Sequence, residues 1–288
     1  MKRILYLATV FILFSAFKND KPAYHFFNNK GKKVKYREVV KKALEADVVF
    51  FGESHNDTIA HWLEYELTKS FYQAKGNNLI LGAEMFEKDN QLILNEYLTG
   101  KISKKSFDSE ARLWPNYKTD YKPLVEFAKE KHLPFIATNI PRRYASIVYK
   151  KGFEGLDSLY AESKTYIAPL PIKYDPNVEC YKNMLNMGGQ LGAHVNQNLP
   201  KAQAVKDATM AYSIAGYAEK GKLFFHYNGS YHSDNYQGIL WYLNQYKPGL
   251  KIVTITTVEQ ADIDTVSREY VNQADFILVV PEDMTRTY

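Results

Sequence analysis

The sequence predicts an α/β fold, with a mainly parallel, twisted sheet flanked by helices. Short runs rich in branched and aromatic residues are typical of buried strands. These runs are 48–51, 79–81, 134–137, 223–225, 251–255 and 276–280. Stretches with helical periodicity lie between them, for example 59–71 and 124–128. Strands that alternate with helices favour a parallel sheet covered on both faces.

One segment, from about 155 to 220, breaks this alternation. It contains Pro169, Pro171 and Pro176 and ends in a helix-like run at 202–218. Prolines interrupt regular elements, so we interpret the segment as a helical insertion or lid over the sheet. The alternative is a small independent subdomain. We therefore expect residues 20–288 to form a single α/β domain that carries this insertion.

The N-terminus has the pattern of a secretory signal peptide. A charged start at Lys2 and Arg3 precedes an apolar run at 4–14, which small residues and a polar stretch follow. An apolar run this short is typical of a cleaved signal. We expect residues 1–19 to be the signal peptide of an exported protein that is periplasmic, membrane-associated or secreted. The alternatives are an N-terminal anchor and a buried strand.

Composition excludes several classes of protein. With 45% hydrophobic and 24% charged residues, the chain is an ordinary globular protein rather than a disordered one. Its single cysteine, Cys180, rules out an intramolecular disulfide and a zinc site built on several thiolates. The net charge of +5 accompanies no recognition motif, so nucleic acid is not an expected partner. The 23 tyrosines offer candidates for binding a flat aromatic ligand.

Polar side chains follow four of the predicted strands. Because the carboxyl ends of parallel strands meet at one edge of a sheet, we expect these residues to form one site. They are Glu53, His55, Glu84, Arg142 and His232.

The residue types at this edge suit metal or anion chemistry. His55, Glu84 and His232 could bind zinc or manganese. Glu53 or Glu84 could act as a general base, and Arg142 could hold a carboxylate or stabilise an oxyanion. This reading predicts a metal-dependent hydrolase, a peptidase or esterase. Alternatively, His55 caps the following helix and Arg142 pairs with Glu84.

Several motifs together resemble a known family. The chain reads Phe-Gly-Glu-Ser-His-Asn-Asp at 51–57 and Gly-Ala-Glu-Met-Phe at 82–86. The similarity continues through Trp114 and 136–142, and resumes in a later part of the chain. That later part comprises 206–211, 228–232, Asp234 and Gly238. In this order, the motifs resemble the ChaN-like haem-binding proteins of the wider Tiki/TraB and erythromycin-esterase group.

The resemblance implies an exported protein that binds haem and takes part in iron acquisition. It also implies a homodimer and a partner in the outer-membrane or cell-surface uptake machinery. A tyrosine would ligate the haem iron, for which Tyr117, Tyr121 and Tyr231 are candidates, and Arg142 would hold a propionate. The related Tiki proteins, with paired Gly-x-x-His motifs, keep the hydrolase alternative open. A binding protein without catalysis is a third hypothesis.

The sequence departs from this family in two ways. No cysteine stands directly after the apolar run to carry a lipid, and the proline-rich segment 155–200 shows no family motif.

Overall fold

A computed structural model describes residues 21–190 and 196–288 of the chain. The predicted signal peptide, residues 1–19, lies outside the described residues. The strands are β1 (His25–Asn28), β2 (Lys33–Val34), β3 (Val48–Glu53), β4 (Leu79–Glu87), β5 (Phe135–Asn139), β6 (Leu223–Gly229), β7 (Ile252–Gln260) and β8 (Phe276–Pro281). The helices are α1 (Tyr36–Ala43), α2 (Thr58–Lys75), α3 (Gln91–Leu98), α4 (Lys104–Glu110), α5 (Lys122–Lys131), α6 (Arg142–Lys151), α7 (Ala161–Lys164), α8 (Glu179–Gln190), α9 (Leu199–Tyr217) and α10 (Ile239–Tyr246).

The strands form one sheet in the order β2-β1-β8-β7-β3-β6-β4-β5. All pairs from β8 to β5 are parallel, whereas β1 pairs antiparallel with both β8 and β2 at one edge. The predicted α/β fold with a mainly parallel sheet is thus confirmed. The sequence did not predict β1 and β2.

Helices cover both faces of the sheet. Alternate residues of β3 point to opposite faces, so that Val49 and Phe51 join one hydrophobic core and Val48 and Phe50 join the other. The first core receives buried side chains from α1 to α5, and the second from α6, α9 and α10. This double burial explains why the central strands read as continuous apolar runs.

The segment predicted as an insertion contains α7, α8 and α9. Helix α9 packs against β5, α6 and α10, and it contributes Val205, Ala208 and Met210 to the second core. It also places Gln203 and Lys206 beside the cavity described below, where Met184 of α8 joins them. Residues 191–195 of this segment lie outside the described residues.

No helix in the described part of the chain combines the length and apolar character needed to cross a membrane.

Candidate functional site

A cavity of about 600 Å³ opens at the carboxyl ends of β3, β4, β5 and β6. All five residues predicted to meet at this edge line it: Glu53, His55, Glu84, Arg142 and His232. The strand register explains their convergence, since Glu53 at the end of β3 pairs with Gly229 at the end of β6. The other lining residues are Ser54, Glu87, Trp114, Asn139, Ile140, Met184, Gln203, Lys206, Gly229, Ser230 and Tyr231.

A buried charged triad forms the floor of the cavity. His232 donates from Nε2 to Glu84 Oε1 at 3.1 Å and from Nδ1 to Asp207 Oδ1. Burial disfavours the imidazolium, but the charges of Glu84 and Asp207 outweigh it and raise the pKa of His232 to about 10. Burial likewise opposes ionisation of Glu84, yet His232 and His55 hold its pKa well below the usual range. The floor therefore contains an imidazolium beside the Glu84 carboxylate at neutral pH. Burial raises the pKa of Asp207, the second partner of His232.

Glu84 also fixes the turn that follows β6. Its Oε2 accepts a hydrogen bond from the Gly229 backbone N–H at 2.9 Å, while its Oε1 accepts from His232. Ser230 and Tyr231 lie between these two anchor points, in a single turn of 3₁₀ helix. The carboxylate thus holds in place the backbone that carries Tyr231.

Glu53 lies in the cavity wall with its two oxygens in different environments. Oε1 accepts hydrogen bonds from Tyr121 at 2.6 Å and from His55 Nδ1 at 2.7 Å. No described residue donates a hydrogen bond to Oε2. Burial and the neighbouring Glu64 raise the pKa of Glu53 to about 8.

His55 is held by this carboxylate and by an aromatic ring. Its ring meets that of Trp114 edge-on, with a centroid separation of 5.0 Å. Burial opposes its protonation, but the hydrogen bond to Glu53 and the charge of Glu84 raise its pKa. His55 does not cap α2; Asp57 does, by accepting from the Ala60 N–H at 2.7 Å.

The predicted metal set of His55, Glu84 and His232 lines one cavity. Both ring nitrogens of His232 face carboxylates, Nε2 that of Glu84 and Nδ1 that of Asp207. Within the described residues, the histidine and carboxylate group whose donor atoms lie within 4.8 Å of one another is Glu53, His61 and Glu64.

Among the three candidate tyrosines, Tyr231 alone lines the cavity. Tyr231 is 36% exposed, and its hydroxyl donates to the Cys180 carbonyl. Tyr121 is buried and donates to Glu53. Tyr117 is 3% exposed and packs against Phe86 and Phe107, away from the cavity.

Arg142 is the first residue of α6 and reaches the cavity from an exposed position. It does not take the partner that the sequence suggested as an alternative, because Glu84 pairs with His232 instead.

Sequence reasoning missed the residues that reach the site from helices. Asp207 lies in a quoted motif, but nothing local assigns it to His232, which is 25 residues away. Lys206 and Gln203 approach on the same helix, α9. The contact between His61 and Glu64 could have been predicted from the sequence, since residues three apart share one face of a helix.

The fold and the cavity together define an α/β protein with its polar site at the carboxyl edge of a parallel sheet. Residues 39–243 match the family described as haem-binding uptake, Tiki superfamily, ChaN. The chain belongs to this haem-binding family, as the motif resemblance predicted.

Solved structures are similar to this chain to different degrees. ChaN of Campylobacter jejuni, in a structure of cofacial haem binding, is 18% identical with a TM-score of 0.67 and covers 89% of this chain and 96% of its own. A Bacillus cereus protein is 12% identical with a TM-score of 0.48, covering 85% of this chain and 90% of its own. Among curated proteins, none matches the sequence.

Proposed function

We propose that the protein binds haem in this cavity and that it serves haem-iron acquisition. The observation that carries the proposal is a partly exposed tyrosine, Tyr231, which shares one cavity with two cations, Arg142 and Lys206. Membership of the haem-binding family supports it. The cavity volume of about 600 Å³ falls within the range of roughly 300–1,000 Å³ typical of small-ligand pockets.

Tyr231 is the residue suited to ligate ferric haem, because tyrosinate is a known iron ligand. Burial raises the pKa of Tyr231 to about 12, so the phenol keeps its proton at neutral pH in the absence of a ligand. Ligation therefore requires release of this proton and of the hydrogen bond to the Cys180 carbonyl. The turn that Glu84 anchors limits the movement available to the tyrosine.

The remaining lining residues suit an amphipathic, anionic ring. Arg142 and Lys206 provide positive charge for propionates, and the Lys206 charge already helps to lower the pKa of Glu84. Trp114, Ile140 and Met184 provide apolar surface for the macrocycle. When bound, haem would supply the iron centre, and these side chains would determine its orientation.

The proposal extends to an exported protein that works as a homodimer with uptake machinery at the outer membrane or cell surface. The signal-like pattern at residues 1–19 supports export, and the family's description as haem-binding uptake supports the role in acquisition.

Hemin titration of the purified protein tests the function. We expect a saturable Soret change at micromolar hemin. The Tyr231→Phe variant should bind about tenfold or more weakly, a loss of about 1.4 kcal/mol or more. Tyr217→Phe is the matched control, because Tyr217 is also partly exposed but lies outside the cavity.

Absence of saturable binding by the wild type would overturn the proposal. If the wild type binds and Tyr231→Phe binds equally well, haem binding stands but the assignment of its ligand is wrong. Loss of affinity in an Arg142→Ala/Lys206→Ala double variant, with an unchanged Soret position, would assign the propionate contacts.

A further inference from the structure

A second group of polar side chains lies behind the cavity wall. The Glu–His–Glu cluster consists of Glu53, His61 and Glu64, which are 2%, 5% and 0% exposed. Their donor atoms lie within 4.8 Å of one another. Glu53 comes from the end of β3, whereas His61 and Glu64 share one face of α2.

The hydrogen bonds of His61 determine which ring nitrogen faces the carboxylates. Nε2 lies 3.1 Å from the His55 carbonyl oxygen, which can only accept, so Nε2 carries a proton. Nδ1 then faces Glu64 Oε2 at 3.0 Å and Glu53 Oε2 at 3.4 Å. In a neutral imidazole of this tautomer, Nδ1 presents a lone pair to two carboxylates. The contact is repulsive unless a proton or a metal ion lies between the nitrogen and the carboxylates.

Each of the two carboxylates also has one buried oxygen that lacks a hydrogen-bond donor among the described residues. Among the described residues, no donor reaches Glu53 Oε2 or Glu64 Oε1, although both atoms are buried. Donors do occupy the other oxygen of Glu53, where Tyr121 and His55 both bond to Oε1. A third carboxylate, Asp120, lies 3.5 Å from His61 Nε2. Buried acceptors in this number need positive charge near them.

We infer that the Glu–His–Glu cluster is a binding site for one divalent transition-metal ion, for which zinc fits best. Ligands on a tetrahedral zinc ion at about 2.0–2.2 Å lie roughly 3.3–3.6 Å apart. The separations of 3.0 and 3.4 Å from His61 Nδ1 to the two carboxylates need little adjustment to reach this spacing. Metal-bound histidines usually donate their other N–H to a carbonyl or carboxylate, as His61 does here.

The cluster also borders a cavity other than the one at the carboxyl edge of the sheet. A second cavity, of about 420 Å³, is lined by His61 and Asp120 together with Thr58, Trp62 and Thr119. Glu53 lines the first cavity and His61 the second, so the cluster separates the two. An ion could therefore enter without passing through the haem cavity, and the metal can bind whether or not haem is bound.

Metal content tests the inference directly. Full-length protein should be purified without haem, chelators or a histidine tag, and its metals measured by mass spectrometry. We expect about one zinc ion, or another divalent first-row ion, per chain. Glu64→Gln should reduce this to under about a tenth. The matched control is Glu66→Gln, on the same helix, whose carboxylate pairs with Lys69 outside the cluster.

A variant of the haem cavity separates this site from the one the sequence predicted. Glu84→Gln should keep its metal, so loss of metal in Glu84→Gln but not in Glu64→Gln would overturn the inference. Wild-type protein should also show X-ray absorption from a metal with nitrogen and oxygen ligands only, including one imidazole. This measurement does not require the variants to fold.

Addition of zinc to chelator-treated wild type should raise its Tm, because an ion that binds only the folded state stabilises it. A wild-type protein that contains no metal and gains no stability from zinc or manganese would contradict the inference. In that case a proton, rather than a metal, lies between His61 and the two carboxylates.

Discussion

Glu84→Gln is the change that best tests the buried triad. The glutamine oxygen can still accept the hydrogen bond that the Gly229 N–H gives to Glu84 Oε2. The change removes the negative charge that lies 3.1 Å from His232 Nε2. His232 would then keep only Asp207 as its partner of opposite charge.

The distance between Glu84 and His232 determines how much stability the Glu84→Gln variant should lose. At 3.1 Å and an effective dielectric constant of about 20, Coulomb's law gives about 5 kcal/mol for the Glu84–His232 pair. Breaking a buried ion pair by removal of one partner typically costs about 3–5 kcal/mol. Because glutamine keeps the Gly229 hydrogen bond, we expect the lower end, about 3 kcal/mol. At about 2–4 °C per kcal/mol, Tm should fall by roughly 6–12 °C.

The loss of unfolding free energy in Glu84→Gln should depend on pH, and the pKa shifts of His232 and Glu84 determine the direction of this dependence. The folded pKa of His232 is raised from 6.5 to about 10, so its stabilisation is full below 6.5 and is lost as pH rises through 10. The folded pKa of Glu84 is lowered, so its stabilisation is present above the ordinary value of 4.5 and is lost in stronger acid. The difference between wild type and Glu84→Gln should thus be greatest between about pH 4.5 and 6.5, should decrease as pH rises from 6.5, and should be small above pH 10.

Urea denaturation at pH 7 and pH 10.5 measures this difference. The double variant Glu84→Gln/His232→Gln should lose less stability than the sum of the single variants, since each single variant already breaks the same pair. If wild type and Glu84→Gln differ by less than about 1 kcal/mol in unfolding free energy at pH 7, the Glu84–His232 pair is no stronger than a surface ion pair and the reasoning is refuted. A difference that is the same at both pH values would show that His232 is not the charged partner.

Three further changes test the site and the helix beside it. In Gly229→Ala, the added Cβ would lie 2.7 Å from His55 Nε2, so we expect a displaced ring and a loss of about 1–3 kcal/mol in urea denaturation. Asp57→Ala removes the cap that accepts from the Ala60 N–H, and should cost about 1 kcal/mol by the same assay, with hemin affinity unchanged. Since the pKa of Tyr231 is about 12, ligation releases a proton, and hemin affinity should rise about tenfold per pH unit between pH 6 and 9; a flat profile would exclude the phenol as ligand.

The parts of the fold that could be predicted are those whose signal is local. Each predicted strand is a short run of branched and aromatic residues because both faces of the sheet are covered, as Val48 and Val49 illustrate by joining opposite cores. Strands β1 and β2 give no such signal. They are only four and two residues long. β1 depends on antiparallel pairing with β8, which is distant in the sequence, and β2 pairs with β1 at the edge.

In the candidate site, too, the residues that could be predicted are those with a local signal in the sequence. Residues at strand ends converge because a parallel sheet aligns its carboxyl edges, so Glu53 and Glu84 could be placed in one cavity. Tyr117 could not be separated from Tyr231 in this way. The family resemblance made both of them candidates, and only packing shows that Tyr117 lies in the core and Tyr231 lines the cavity. Asp207 depends on the approach of α9, a long-range feature without a local signal.

Glu53 links the two sites, and this link predicts energetic coupling between them. Its Oε1 bonds to His55 in the cavity at the carboxyl edge of the sheet, whereas its Oε2 faces His61 in the Glu–His–Glu cluster. A divalent ion on the cluster would add positive potential behind the cavity wall, and this favours an anionic ligand such as a haem with its propionates and tyrosinate. Hemin should therefore bind more tightly to metal-loaded protein, by about 5-fold or more at the usual strength of such coupling. By the same linkage, hemin should tighten metal binding by an equal factor. Hemin titrations of chelator-treated and zinc-loaded wild type measure the coupling, and Glu64→Gln should abolish it; equal affinities in the two wild-type forms would show that Glu53 does not transmit charge between the sites.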